Sequence, residues 1–294
     1  MQQIIFLVTS LEGLHKPNFS RQLTAALQEN VPVKLLVALV DFDAAWEVRQ
    51  FIERLARNDE RVHRVRIVTI AELAAKDAGL ALSAEERNQP DLTAYTERVF
   101  TTDHDQIRRY LDHGHLRAEL HQLDDQTPMV LRHYLHDQLI QVDTYDLTGR
   151  VVGVAKIQDG VVQTSYLLNQ RGEAILRLTR HEQTVEHVYN LGADSVMLAT
   201  EFSDAKQAAA LNNMSHRQRE RTLAKSVDHT EMISTTENYY SVLVYASYNR
   251  YRDVFTYYQT VLDQLMTPQT RLYVDLAVNA VLSPRMPRQL IFNY

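Results

Sequence analysis

The stretch Ser10-Leu-Glu-Gly-Leu-His-Lys-Pro-Asn-Phe-Ser-Arg21 holds a dense set of groups able to grip an anion or a sugar hydroxyl. Lys16 and Arg21 bring charge, Ser10, His15, Asn18 and Ser20 bring short-range hydrogen-bonding atoms, and Gly13 offers backbone access. A helix starting near Asn18 would add unpaired N–H groups and the positive end of its dipole. We therefore take Ser10, Gly13, His15, Lys16, Asn18 and Arg21 as ligand-binding candidates, against the competing reading of an ordinary connecting loop. A dinucleotide fingerprint needs three glycines for close backbone approach, and only Gly13 is present.

Other constellations are weaker. His104, His113, His115, His121, His133 and His136 lie within a short span, and on strands His113 and His115 would share a face. No carboxylate stands at a diagnostic spacing from them, so surface histidine is preferred and no metal is assigned. Asp41 and Asp43 follow an apolar run and could meet a ligand, but capping of the next helix by Asp43 explains them more simply. The aromatic set from Tyr239 to Tyr258 is read as core, with Tyr251, Phe255 and Tyr258 on one helical stripe, the alternative being a sugar-stacking or interface surface. Neither a nucleophile elbow, a Walker loop, HExxH nor a carboxylate pair is visible, so no residue receives a catalytic role.

Composition narrows the classes. The chain has 294 residues, 45% of them hydrophobic, enough for a substantial core and roughly two domains. A formal charge of −6 argues against a broad nucleic-acid footprint, and the absence of cysteine excludes disulfides and thiolate chemistry. The start, Met1-Gln-Gln-Ile-Ile-Phe-Leu-Val, lacks a basic region and makes a poor signal peptide; no run is long enough for a transmembrane segment. The expectation is a cytoplasmic protein.

The elements that must position these groups alternate in type. Ile4–Val8 reads as a strand buried on both faces, followed by a long polar loop and a helix capped by Asn18. Val33–Val40 is a second strand, 44–57 a helix, 65–69 a third strand and 70–82 a helix, a βαβαβ order that implies parallel pairing and places ligands at the strands' carboxyl ends. The segment 91–125 is read as helix or an extended approach. Turn signals at Gly149, Gly160 and Gly172 stand 11 and 12 positions apart (149 to 160 to 172), so the strands between them double back as a meander covering about 129–189. Within it Ala174, Leu176 and Leu178 should point one way, and Glu173, Ile175 and Arg177 the other. Val196–Ala199, Ser241–Tyr245 and Arg271–Asp275 read as further buried strands of the parallel sheet, with a polar helix over about 203–227 and an aromatic one over about 251–266. Leu290–Tyr294 starts another strand, and this ending in mid-pattern suggests a lost or removed second half. The fold class expected is α/β: a Rossmann-like parallel sheet domain interrupted by an inserted antiparallel β-meander domain. The divisions are 1–125, the insert at 126–192, and 193–294.

Phe6-Leu-Val-Thr-Ser-Leu-Glu-Gly-Leu14, Leu36-Val-Ala-Leu-Val-Asp-Phe-Asp43 and the Tyr-Asp-x-x-Gly and Asp-Gly turns resemble the N-terminal half of bacterial poly(glycerol-phosphate) α-glucosyltransferases. The same features resemble the glycosyltransferases of wall teichoic acid and serine-rich adhesins. The resemblance implies the first half of a GT-B fold and a retaining transferase that moves a hexose from a UDP-sugar to a cell-wall polymer or surface-protein acceptor. It implies no further cofactor, with UDP-sugar bound only alongside a second Rossmann-like domain. Where the family's first loop carries a glycine pair, this chain has Lys16-Pro17-Asn18, and proline removes an N–H. An alternative follows: a non-catalytic subunit that recognises acceptor or assembles into a homo- or hetero-oligomer through the edges of its meander.

Overall fold

A computed structural model describes residues 3–101, 105–123, 125–191, 196–198, 231–234, 242–245, 250–251 and 253–294. The expected polar helix over 203–227 lies outside them. In the first part, β1 (Gln3–Val8) leads through a helical turn, α1 (Leu11–Leu14), into α2 (Pro17–Gln28) and β2 (Val33–Val37). Then come α3 (Ala45–Ala56), β3 (Arg66–Thr69) and α4 (Ile70–Leu73). After the second sheet the chain returns with α5 (Val254–Asp263), β17 (Thr270–Val274), α6 (Leu276–Leu282) and β18 (Leu290–Asn293). The five strands form one parallel sheet in the order β18-β17-β1-β2-β3.

From Ile4 to Val8 β1 is apolar because it faces two cores. Ile4, Phe6 and Val8 pack with Phe19 and Leu23 of α2 and Val48 and Ile52 of α3. Ile5 and Leu7 point the other way, toward Tyr258 and Leu262 of α5 and toward the second sheet. Each such side chain, fully removed from water, is worth about 1.5–3 kcal/mol.

That second sheet has ten strands and is antiparallel in every pairing. Its strands are β4 (Thr96–Thr101), β5 (Asp105–Asp112), β6 (His115–Leu123), β7 (Pro128–Leu135), β8 (Gln138–Tyr145) and β9 (Val151–Gln158). β10 (Val161–Leu168), β11 (Ala174–His181) and β12 (Thr184–Asn190) follow, and β16 (Arg250–Tyr251) pairs with β12. Gly149, Gly160 and Gly172 all take positive φ at the turns their spacing marks. The meander extends further than that spacing shows, since 96–123 adds three strands. Its outermost strand, β4, is exposed along its whole length, so no buried face imposes an apolar alternation on it.

Leu167, Leu176, Leu178 and Val188 of this sheet share one core with Ile5, Leu7 and Leu36 of the parallel sheet. Gly153 of β9 sits where Phe42 crosses it: a Cβ there would come within 2.7 Å of the Phe42 ring. Trp46 Nε1 donates to the Tyr145 carbonyl at 2.9 Å. Arg180, its side chain only 5% exposed, reaches from β11 to the carboxyl end of β2, meeting Asp41 at 2.8 Å and the Val40 carbonyl at 2.8 Å.

Several expectations change. α2 begins at Pro17 with Lys16 at its cap position, so Asn18 lies inside the helix; proline's fixed φ and missing N–H suit the first turn. Asp43 is not the cap residue of α3, because Phe42–Ala44 is a 3₁₀ turn running straight into that helix. β2 stops at Val37, and α4 stops at Leu73. Beyond it Gly79, whose Cβ would meet the Ala174 carbonyl oxygen at 2.6 Å, brings the chain against β11, where Leu80 bridges Ala174. Leu176 and Leu178 share a core, but Ala174 packs in another and Ile175 joins the leucines, because the pairing register shifts between Leu167 and Leu168.

β13 (Val196–Leu198), β14 (Glu231–Ser234) and β15 (Val242–Tyr245) do not join the parallel sheet. They pair antiparallel in a three-stranded sheet of their own, a short apolar run being compatible with either kind of pairing. On α5, Tyr257 and Tyr258 are buried with Val261 and Leu262, whereas Phe255 is only partly buried. No helix among the described residues is long and apolar enough to cross a membrane.

Candidate functional site

The carboxyl ends of β1, β17 and β18 converge on one small polar group. Ser10 caps α1, its hydroxyl accepting from the Gly13 N–H at 3.2 Å, which folds the loop back over the end of β1. Lys16 then reaches across to Asp275, directly after β17, with Nζ 2.6 Å from Oδ2. Asp275 is 3% exposed, and its other oxygen accepts from the Ala277 N–H at 2.8 Å to cap α6. A Cβ at Gly13 would stand 3.1 Å from Asp275 Oδ2 and 3.4 Å from Ser10 Oγ, so a side chain there would crowd the carboxylate. Tyr294 closes the floor: it is buried and its hydroxyl donates to the Leu7 carbonyl at 2.7 Å.

The electrostatics follow from these contacts. The hydrogen bond to Asp275 raises the Lys16 ammonium above its ordinary value, with that carboxylate's charge and Glu12's acting in the same direction against desolvation. Burial, then the nearby Asp275, raises the Tyr294 hydroxyl, so it stays protonated as a donor. The group therefore presents a paired ammonium and carboxylate beside a short hydroxyl. Such a pair can receive a polyol hydroxyl on the carboxylate while the ammonium turns to a second oxygen.

Three of the six predicted residues, Ser10, Gly13 and Lys16, come together here. The other three do not. His15 packs edge-on against Phe51 at 5.1 Å between ring centres, while Arg21 donates to Asn18 at 2.9 Å on the exposed face of α2. Asp275 and Tyr294 were missed because they belong to the far end of the chain. Their signal was position: each stands at the end of a predicted strand, the place singled out at β1. Asp41 is tied to Arg180 in the contact between sheets. Burial, and then Asp41, raises the Asp43 carboxyl.

Among the described residues the histidines disperse; His104 lies outside them. His113 and His136 sit in turns at positive φ, where a short polar side chain is tolerated, so His113 is not on a strand face with His115. His121 meets Glu119 at 2.8 Å, and His133 is buried 3.6 Å from Asp143. Among the described residues no group of three His, Asp or Glu could hold a metal ion.

No protein-family model matches the sequence, and no curated protein matches it. Solved structures do match over the whole chain. TarM aligns with a TM-score of 0.50 at 10% identity, covering 100% of this chain and 49% of its own. The Glycosylation Associate Protein (Gap123) complex of Streptococcus agalactiae aligns with a TM-score of 0.52 at 12% identity, covering 100% of this chain and 51% of the other. The chain thus spans about half the length of the proteins it matches, and what it shares with them is the fold: a parallel α/β sheet interrupted by an antiparallel one.

Proposed function

We propose that this chain is the acceptor-side portion of a glycosyltransferase of the GT-B kind, which moves a hexose from a UDP-sugar to a cell-wall polymer or surface-protein acceptor. Ser10, Gly13, Lys16 and Asp275 hold an acceptor hydroxyl at the strand ends, and a second Rossmann-like domain supplies the donor contacts. The carrying observation is the convergence of Lys16 and Asp275, far apart in sequence, at the carboxyl ends of the sheet's strands. Open parallel sheets bind ligands there. The shared fold with TarM and with a complex named for glycosylation supports the reading.

Isothermal titration with glycerol-phosphate oligomers and with acceptor peptide tests it. Binding that weakens in Lys16→Met and Asp275→Asn, with the thermal melt retained, is the expected result. Binding indifferent to both changes would remove the site.

A second reading, a non-catalytic subunit for acceptor recognition or assembly, draws on two features. Asp275 already occupies Lys16, and β4 leaves Val99 49% and Phe100 45% exposed at the sheet edge. Light scattering on the chain alone and with candidate partners separates the two readings. UDP-sugar hydrolysis by a longer, partner-free form carrying this chain counts against the second.

A further inference from the structure

Between the parallel sheet and the antiparallel one lies a cavity of about 220 Å³ that shares no lining residue with the Ser10 loop. One wall is the carboxyl end of β3 and α4, with Thr69, Glu72 and Ala75; the other is two neighbouring hairpin turns of the antiparallel sheet, with Asp146, Arg150 and Gln170. Val152 and Leu168 contribute apolar surface.

Its walls are tied together at both ends. At one, the Gln170 N–H donates to the Ala75 carbonyl at 2.9 Å, and the Asn169 amide to the Asp77 carbonyl at 2.8 Å. At the other, Trp46 holds the Tyr145 carbonyl. The space is therefore set by the docking of two sheets, and a ligand would meet it preformed.

We infer that this cavity binds a single neutral sugar ring. Size is the first argument: pockets for drug-sized ligands run to about 300–1,000 Å³, so a nucleotide is too large and one ring is suitable. Charge is the second. Glu72 is paired with Arg49 at 3.2 Å and Asp146 with Arg150 at 2.8 Å, so the acids and bases of the cleft cancel and neither phosphate nor a cation is favoured. Surface type is the third, since apolar floor and a rim of carboxylate, guanidinium and amide groups match the C–H faces and hydroxyl edge of a pyranose.

Saturation-transfer NMR on the full chain tests this, with glucose, N-acetylglucosamine and glycerol 3-phosphate as probes and far-UV circular dichroism as the check on folding. Transfer to at least one of the two sugars is expected, weakened about tenfold or more by Ala75→Leu, which fills the space. Gln170→Ala, a milder change at the rim, should weaken it roughly fivefold, as loss of one hydrogen bond does. Absence of transfer to both sugars would overturn the inference. So would tighter binding of glycerol 3-phosphate, or sugar binding unchanged in both folded variants. Such a failure leaves the acceptor site standing, because that site rests on Lys16 and Asp275 and is read by titration of different ligands.

Discussion

Asp275 serves two partners at once, the Lys16 ammonium and the first turn of α6. Asp275→Ala removes the cap and leaves the ammonium without its acceptor, and loss of a helix cap alone costs about 0.5–2 kcal/mol. Urea unfolding should show a drop of at least that size, and Asp275→Asn should lose less because an amide oxygen can still cap. Tyrosines give a second expectation at this scale. Burial pushes the Tyr145 hydroxyl up to about 12, Asp143 adding to it, and burial raises Tyr258 and Tyr294 as well. A folded-state value above the unfolded one, about 10, means the stabilisation is complete below pH 10 and fades as pH climbs toward 12. Lys16, also raised, acts in the same alkaline direction. Tyrosinate absorbance from these three residues should therefore appear together with loss of circular dichroism. Their ionisation in a chain still folded would contradict the burial described.

Where whole elements meet, glycine decides how closely they approach. Gly153→Ala pushes a Cβ into the Phe42 ring, and overpacking of this kind costs about 1–3 kcal/mol. Phe42→Leu in the same chain should recover part of the loss, which a double-mutant cycle would reveal. Gly160→Val acts differently, placing a β-branched residue at a φ of +76°; strain of about 1–3 kcal/mol and a loosened β9–β10 hairpin, seen by hydrogen exchange, are expected. These elements were unevenly legible in the sequence. Turn glycines at a regular spacing expose a hairpin directly, and the double-faced β1 shows as a continuous apolar run. The strands 96–123 were hidden because their pattern is largely polar, and β13 and β15 were misplaced because three or four apolar residues do not specify a pairing direction. The candidate site was half visible: its near side lies in one loop, but Asp275 and Tyr294 join it only through the order of strands in the sheet.

For the molecule as a whole, the contact between sheets matters most. Their shared core sets the parallel sheet's Leu7 and Leu36 against Leu167 and Leu178, with Arg180 as a nearly buried polar tie. Arg180→Met keeps the apolar stem but leaves Asp41 unpaired and the Val40 carbonyl without its donor. A cost of about 1–3 kcal/mol follows from breaking such a bond. The shared core predicts a single calorimetric transition for the parent chain, and Arg180→Met should begin to split it into two. A single sharp transition at the parent temperature would mean that the apolar contact alone holds the sheets together.

β1 pairs on one side with β2 and on the other with β17, where Gln3 lies opposite Thr270. During synthesis at about 5–20 residues per second, β1 through β3 and then the long antiparallel sheet emerge well before β17 exists. One edge of a strand buried from Ile4 to Val8 must wait, unpaired, until β17 is made. The nascent polypeptide should therefore be sensitive to protease within its first 70 or so positions until the last strands are released, and should depend on a chaperone that shields that edge.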